Sequence, residues 1–331
     1  MAVVSPSFAA PAMFPAVHEL AMRRLREELE LEAVEYPTTR RLDASPRDRA
    51  ADLMNAFADP DIHAVLATIG GSDQLTVLPH LDPAAVSVPK PFFGYSDNTN
   101  LLNWLWNCGV AGYHGGSTMV HLGRGGGLHP VSTASLRAAL FTGGDVVLHP
   151  VDEFSEDELD WNDAASFDRA AAVQRSQGWI WHRPERVVTA PTWGGNLEIV
   201  HWNLAAGRWI RPVDDYAGCV LLLETSEEMP SAQEVFHMLR NAGERGLLGQ
   251  FPAVLVGTAK ASALGRRTTP DERERYQAEQ REAVLRALGA YNPEAMAVFG
   301  VDFGHTDPQW ILPYGGSMTV DGPGRRIVAH Y

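Results

Sequence analysis

The first 145 residues alternate short apolar runs with longer amphipathic segments, and this alternation leaves few ways to fold. Residues 2–4, 33–36, 63–68 and 92–94 are short, apolar and bounded by Gly, Pro or Ser, as buried strands are. Between them, 14–29, 46–58 and 99–107 carry apolar residues three or four apart, which predicts helices. Strands that alternate with helices favour a mainly parallel sheet covered on both faces. In the second half, 220–223, 253–256 and 297–299 read as strands and 231–241 and 271–288 as helices. Ser231, with Glu234 three residues on, has the pattern of a capping box.

The expected fold class is therefore α/β. An N-terminal parallel-sheet domain covers 1–145 and a smaller C-terminal α/β domain covers 188–331. The intervening stretch, 146–187, begins with acids (DEFSEDELDWND) and ends in aromatics (GWIWHRPE), and it reads as a linker that can also cover a substrate.

Charge narrows the choice of partner. Forty-one acidic residues against 27 basic ones give a formal charge of −14, which repels a phosphate backbone and argues against nucleic acid. The richest basic stretches, RRLREE and GRRTTPDERERY, interleave both signs as a solvated face does. Two cysteines, Cys108 and Cys219, build neither a disulfide framework nor a cysteine-rich metal site. The amino terminus has no basic n-region and its apolar stretch is broken by proline. Nowhere do 18 apolar residues run uninterrupted, so no membrane span is expected, and the chain reads as cytoplasmic.

Four segments hold residues suited to chemistry. In FFGYSDNTNLLNWLW a strand ending at Gly94 is followed at once by Ser96 and a helix. Such a turn lifts a hydroxyl out of the sheet beside unpaired backbone N–H groups, which suit a developing oxyanion. A plain helix N-cap explains the same serine. In ATIGGSDQLTVLPHLD the pair Gly70-Gly71 ends a strand and allows close approach of backbone to a ligand, or simply makes a turn. In VLLLETSEEMP, Glu224 ends an apolar strand, where a charge needs a partner or solvent and where it can orient an imidazole. Glu227 and Glu228 beside it read as surface acids. In VFGVDFGHTDPQWILPYGG, His305 sits in a loop after a strand, able to take and return a proton near neutral pH; Asp302 and Asp307 read as loop acids. His114, His121 and His129, seven and eight residues apart with no HExxH, do not predict a metal site.

Taken together, VVSPS, TIGGSDQLTVLPHLD, GYSDNTNLL, GGNLEIV, CVLLLETSEEMPSAQEVFHMLRNAG and FGHTDPQWILPYG resemble, in order, the blocks of the LD-carboxypeptidases and the related microcin C immunity peptidases. The resemblance implies a serine peptidase with Ser96 as nucleophile, Glu224 as orienting acid and His305 as base. It further implies an oxyanion hole from the backbone N–H groups of Gly71 and Asp97, no cofactor and a homodimer. Gly70, Ser72, His114, Trp179, Trp181 and Asn196 become candidates for substrate binding. IGGSDQ and the aromatic GWIWHRPE lean toward the immunity branch, which cuts an amide in a peptide–nucleotide or aminoacyl-nucleotide conjugate. Removal of the terminal D-residue from a murein tetrapeptide is the alternative, and a non-catalytic small-molecule binder on the same scaffold is a second. Gly116 stands where relatives usually carry proline, a departure on the substrate side.

Overall fold

A computed structural model describes residues 1–263 and 265–331. The chain forms two compact units, one of Met1–Gly143 with Leu159–Ala171 and one of Gly144–Glu158 with Ala172–Tyr331. The segment 146–187 thus divides between them. The second unit, expected to be the smaller, is the longer in sequence because most of that segment folds into it.

In the first unit, β1 (Ala2–Val4), β2 (Val34–Glu35), β3 (Val65–Ala67), β4 (Phe92–Gly94) and β5 (Gly112–His114) form a parallel sheet in the order β5-β4-β3-β1-β2. Val3, Val65 and Phe93 are completely buried, as expected of strands covered on both faces. The connecting helices are α1 (Ala10–Met13), α2 (Pro15–Glu27), α3 (Pro46–Ala58), α4 (Thr99–Asn107) and α5 (Pro130–Arg137). A capping box between Ser45 and Asp48, with Pro46 in the first turn, fixes the start of α3. Residues 159–171 return to this unit through Trp161, which packs edge-on against Phe14 with ring centroids 5.2 Å apart. The strand order reverses between β1 and β3, and in open parallel sheets ligands gather at the carboxyl ends of strands at such a point. Ser5–Ser7, Gly70–Gly71 and Ser96 all follow the carboxyl ends of these strands.

The second unit contains β6 (Asp145–Leu148), β7 (Glu153–Phe154), β8 (Gln174–Arg175), β9 (Ile180–His182), β10 (Val187–Asn196), β11 (Val220–Glu224), β12 (Ala253–Gly257), β13 (Met296–Val301), β14 (Leu312–Tyr314), β15 (Ser317–Asp321) and β16 (Arg326–His330). Its main sheet runs β6-β16-β15-β10-β11-β12-β13-β9. From β10 to β13 the strands are parallel, and the flanking strands are antiparallel. The long strand β10 joins the two regimes: its first half pairs with β15 and its second half with β11. The helices are α6 (Leu197–Ala206), α7 (Ala232–Glu244) and α8 (Pro270–Tyr291). The expected capping box of Ser231 and Glu234 opens α7.

Candidate active site

In the first unit the geometry centres on Ser96. Its backbone has φ +62°, a left-handed conformation rare for a residue with a Cβ. Strain of this kind is held in place by its surroundings and gathers at functional sites. The serine is not spent as a cap. Tyr95 stands at the N-cap of the 3-10 turn Ser96–Asn98 and Asn98 at that of α4, neither position with a side-chain cap. The N-cap explanation of Ser96 is therefore set aside. Ser96 and Asp97 open the turn, so their N–H groups precede any carbonyl it offers them.

Gly70 has a steric reason to be glycine. A Cβ there would lie 2.8 Å from Ser96 Cβ, 2.9 Å from its Oγ and 3.2 Å from Asp97 N. The backbone entering the Gly70-Gly71 turn thus lies directly against the serine. Gly71 and Ser72 are exposed, whereas His114 at the end of β5 is fully buried.

Asp97 fastens the turn from beneath. Its carboxylate accepts from Ser7 Oγ at 2.5 Å, Gln74 N at 2.9 Å and Asn100 Nδ2 at 2.8 Å. Burial holds its carboxyl above the usual carboxylate range, with the hydrogen bonds from Ser7 and Gln74 pulling the other way. Asn98 bridges the same loops, donating to Ile69 O and accepting from Gln74 Nε2.

In the second unit the chemistry lies at the ends of β11 and β13. Glu224, buried at the last position of β11, meets His305 with Oε2 2.5 Å from Nδ1. A carboxylate on Nδ1 fixes the tautomer that leaves Nε2 to exchange protons. Gly304, at φ +95°, brings the loop down on Glu224, and a Cβ there would lie 2.8 Å from both Glu224 Cβ and Oε2. Burial disfavours the imidazolium, but the charge of Glu224 and, more weakly, of Glu227 outweighs it, so the His305 pKa lies above the ordinary histidine value.

Two acids around this pair escaped the sequence reading. Glu227, taken above for a surface acid, is half-exposed but places Oε2 3.3 Å from His305 Nε2. Glu198 accepts from both N and Oγ of Ser226, at 2.9 and 2.7 Å, and so holds the loop after β11. Burial and the nearby charge of Glu224 raise its pKa. Its only signal was a place in the first turn after GGN. Asn196 aligns with Glu224 across the β10–β11 pair and caps α6, its side chain accepting from Ile199 N.

The aromatic segment divides in role. Trp179 donates its indole N–H to Asp302 Oδ2 at 2.9 Å, while Trp181 lies on edge strand β9 opposite Val298. Asp302 also accepts from Val151 N, and burial pushes its carboxyl up to about 6. It fastens the β13 loop, which goes beyond the loop-acid reading. A cleft of about 230 Å³ runs beside Glu224 and Thr225, with Leu223, Val256 and Phe299 among its apolar lining and residues 174–178 along one wall. Among the described residues, no group of three or more His, Cys, Asp or Glu is placed to hold a metal ion, and no helix is long and apolar enough to cross a membrane.

A strained serine after a parallel strand, and a buried carboxylate–imidazole pair, are groups of the kind that nucleophilic catalysis uses. Comparison with known proteins agrees. Sequence models of the LD-carboxypeptidase N-terminal and C-terminal domains match residues 1–115 and 189–320. The chain is 22% identical to the microcin C7 self-immunity protein of Escherichia coli, over 85% of this chain and 77% of that one. It is 33% identical to the murein tetrapeptide carboxypeptidase of Pseudomonas aeruginosa, over 40% and 42% of the two chains. The fold matches that of an MccF-like protein from Streptococcus pneumoniae, solved in complex with AMP, with a TM-score of 0.87 at 24% identity over 100% and 98% of the chains. This protein belongs to the LD-carboxypeptidase family and is a serine-type peptidase or amide hydrolase.

Proposed function

We propose that Ser96 is the nucleophile, His305 the general base and Glu224 the acid that orients it, and that the substrate is a small peptide or an aminoacyl- or peptidyl-nucleotide conjugate. The observation that carries this reading is the left-handed backbone of Ser96 at the end of β4. A strained conformation in a residue that caps nothing is most economically explained by the need to present its hydroxyl. His305 removes the Ser96 proton as Oγ attacks the scissile carbonyl carbon. The N–H groups of Gly71 and Asp97 receive the resulting oxyanion. Collapse breaks the C–N bond, and the imidazolium gives its proton to the leaving amine. Water, deprotonated by His305, then attacks the acyl-enzyme, releasing a carboxylic acid and restoring the serine.

Support for a nucleotide conjugate comes from the long match to the microcin C7 self-immunity protein and the AMP-bound relative. Trp179 and Trp181, both partly buried, are the aromatic side chains on which a base would stack. The shorter but closer match to a murein tetrapeptide carboxypeptidase favours a second reading, removal of a terminal D-residue from a tetrapeptide. Parallel digestion of a murein tetrapeptide and an aminoacyl-sulfamoyl adenosine, read by mass, separates the two. Cleavage of the adenosine conjugate alone is the expected result, and failure to cut either sinks the proposal. The reading includes a cytoplasmic homodimer, for which light scattering should give twice the chain mass.

A further inference from the structure

We propose that Glu227 is a second positioning carboxylate for His305, setting the proton affinity of Nε2 and with it the acid limb of the reaction. The inference rests on His305 being the general base. It starts from a contact that the triad does not require: Glu224 engages Nδ1, and Glu227 stands 3.3 Å from Nε2 on the opposite side of the same ring. The ring is thus bracketed by two acids, while only 6% of the His305 side chain is exposed.

The loop is built to hold this arrangement. Ser226 is tied to Glu198 through both its N–H and its hydroxyl, and Met229 N bonds back to Ser226 O. Glu227 therefore projects from a short turn fixed on both sides. The charged groups acting on His305 are Glu224, Glu227 and Lys260, with Glu198 reaching it through Glu224. Lys260 pairs with Glu158 at 2.5 Å and opposes the acids only weakly.

Both consequences follow from charge. An anion beside Nε2 favours the imidazolium, so it holds the base protonated to higher pH. The same anion also stabilises the imidazolium that forms as Ser96 attacks, so it speeds the chemical step once the base is free. Removing the charge must therefore shift the acid limb of kcat/KM to lower pH and lower the plateau. Two unit charges about 4 Å apart in water interact strongly enough to move a titration by about 0.7 pH unit. With a Brønsted coefficient of roughly one half, the plateau then falls about twofold, while the rate well below the limb rises about twofold. The two pH profiles cross, which a merely structural role would not produce.

The test is the charge series Glu227→Gln and Glu227→Lys, with two readouts. One is the pH profile of kcat/KM on whichever of the two substrates above is cleaved. The other is the His305 imidazole titration followed by NMR on the full chain. Both titrations should move down in the order Glu, Gln, Lys, with crossing rate profiles. An imidazole titration unmoved in both variants overturns the role of Glu227. A moved titration with an unmoved rate limb overturns instead the assignment of His305 as base.

Discussion

Gly304→Ala is the most direct probe of the Glu224–His305 geometry, because the added methyl enters the pair itself. Its Cβ would lie 2.8 Å from Glu224 Cβ and Oε2 and 3.0 Å from Cγ. Carbon atoms in contact prefer about 3.5–4.0 Å, so the loop and the carboxylate must separate by roughly 1 Å. The backbone adds a second term, since φ there is +95° and an alanine in the left-handed half costs about 1–2 kcal/mol. With overpacking of about 1–3 kcal/mol, the loss of stability centres on about 3 kcal/mol. At about 2.1 cal/mol/K per residue over 331 residues, that lowers the melting midpoint by about 4 °C.

The effect on rate should be comparable in free energy to the effect on stability. A misplacement of about 1 Å in a catalytic group costs about 10²-fold, so kcat/KM should fall by that factor well below the melting midpoint. Leu25→Ala supplies the control: Leu25 is completely buried in α2, far in sequence from any group given a role here. Its loss costs about 3 kcal/mol through a cavity and should leave kcat/KM within a factor of three. If Gly304→Ala melts early but retains full kcat/KM, the close packing of residue 304 on Glu224 has no catalytic purpose.

Two further substitutions address strain and burial. Ser96→Ala should abolish turnover with little change in stability, whereas Ser96→Gly should abolish turnover and raise stability by up to ~1 kcal/mol, because glycine adopts φ +62° without penalty. Equal melting midpoints for the two would show that the turn is not strained. Asp302 titrates at about 6 in the folded chain against an ordinary 3.8, so between these values the folded chain keeps a proton that the unfolded chain has lost. That contribution is full below about pH 4 and disappears as pH rises through 6, a loss on the order of 3 kcal/mol. Asp302→Asn still accepts from Trp179 and should flatten this slope in urea unfolding at pH 4.5 and 7; an unchanged slope refutes the assignment.

How far the sequence showed these features depended on whether the cause was local. The helix Pro46–Ala58 was legible to the residue, because Ser45, Pro46 and Asp48 write its start in neighbouring side chains. The strand Phe92–Gly94 and the helix Thr99–Asn107 were equally clear, since an apolar run meets a turn and then a helical period. The helix Leu197–Ala206 was missed, as LEIVHWNLAA is apolar on most sides and offers no stripe, although Asn196 was available as its cap. The hairpin Ser317–His330 was missed despite its DGPG turn. Strand Val187–Asn196 was hidden for another reason: it changes from antiparallel to parallel pairing midway, and no residue pattern announces two partners.

The same division separates the residues proposed to react from those that adjust them. Ser96, Glu224 and His305 each stand just after or at the end of a strand, where the backbone must turn and glycine gathers, so the local sequence marks them. Ser7, Glu198, Glu227 and Asp302 act across loops, and each takes its meaning from a partner distant in sequence: Ser7 from Asp97, Glu198 from Ser226, Glu227 from His305, and Asp302 from Trp179. A run such as SEE is a good solvated surface by every local criterion. Only the approach of an imidazole 78 positions later turns its middle member into a tuning charge. Tuning of the base in such a chain is therefore sought at residues whose partners lie far along the sequence, and the charge series at Glu227 is where that expectation meets its first measurement.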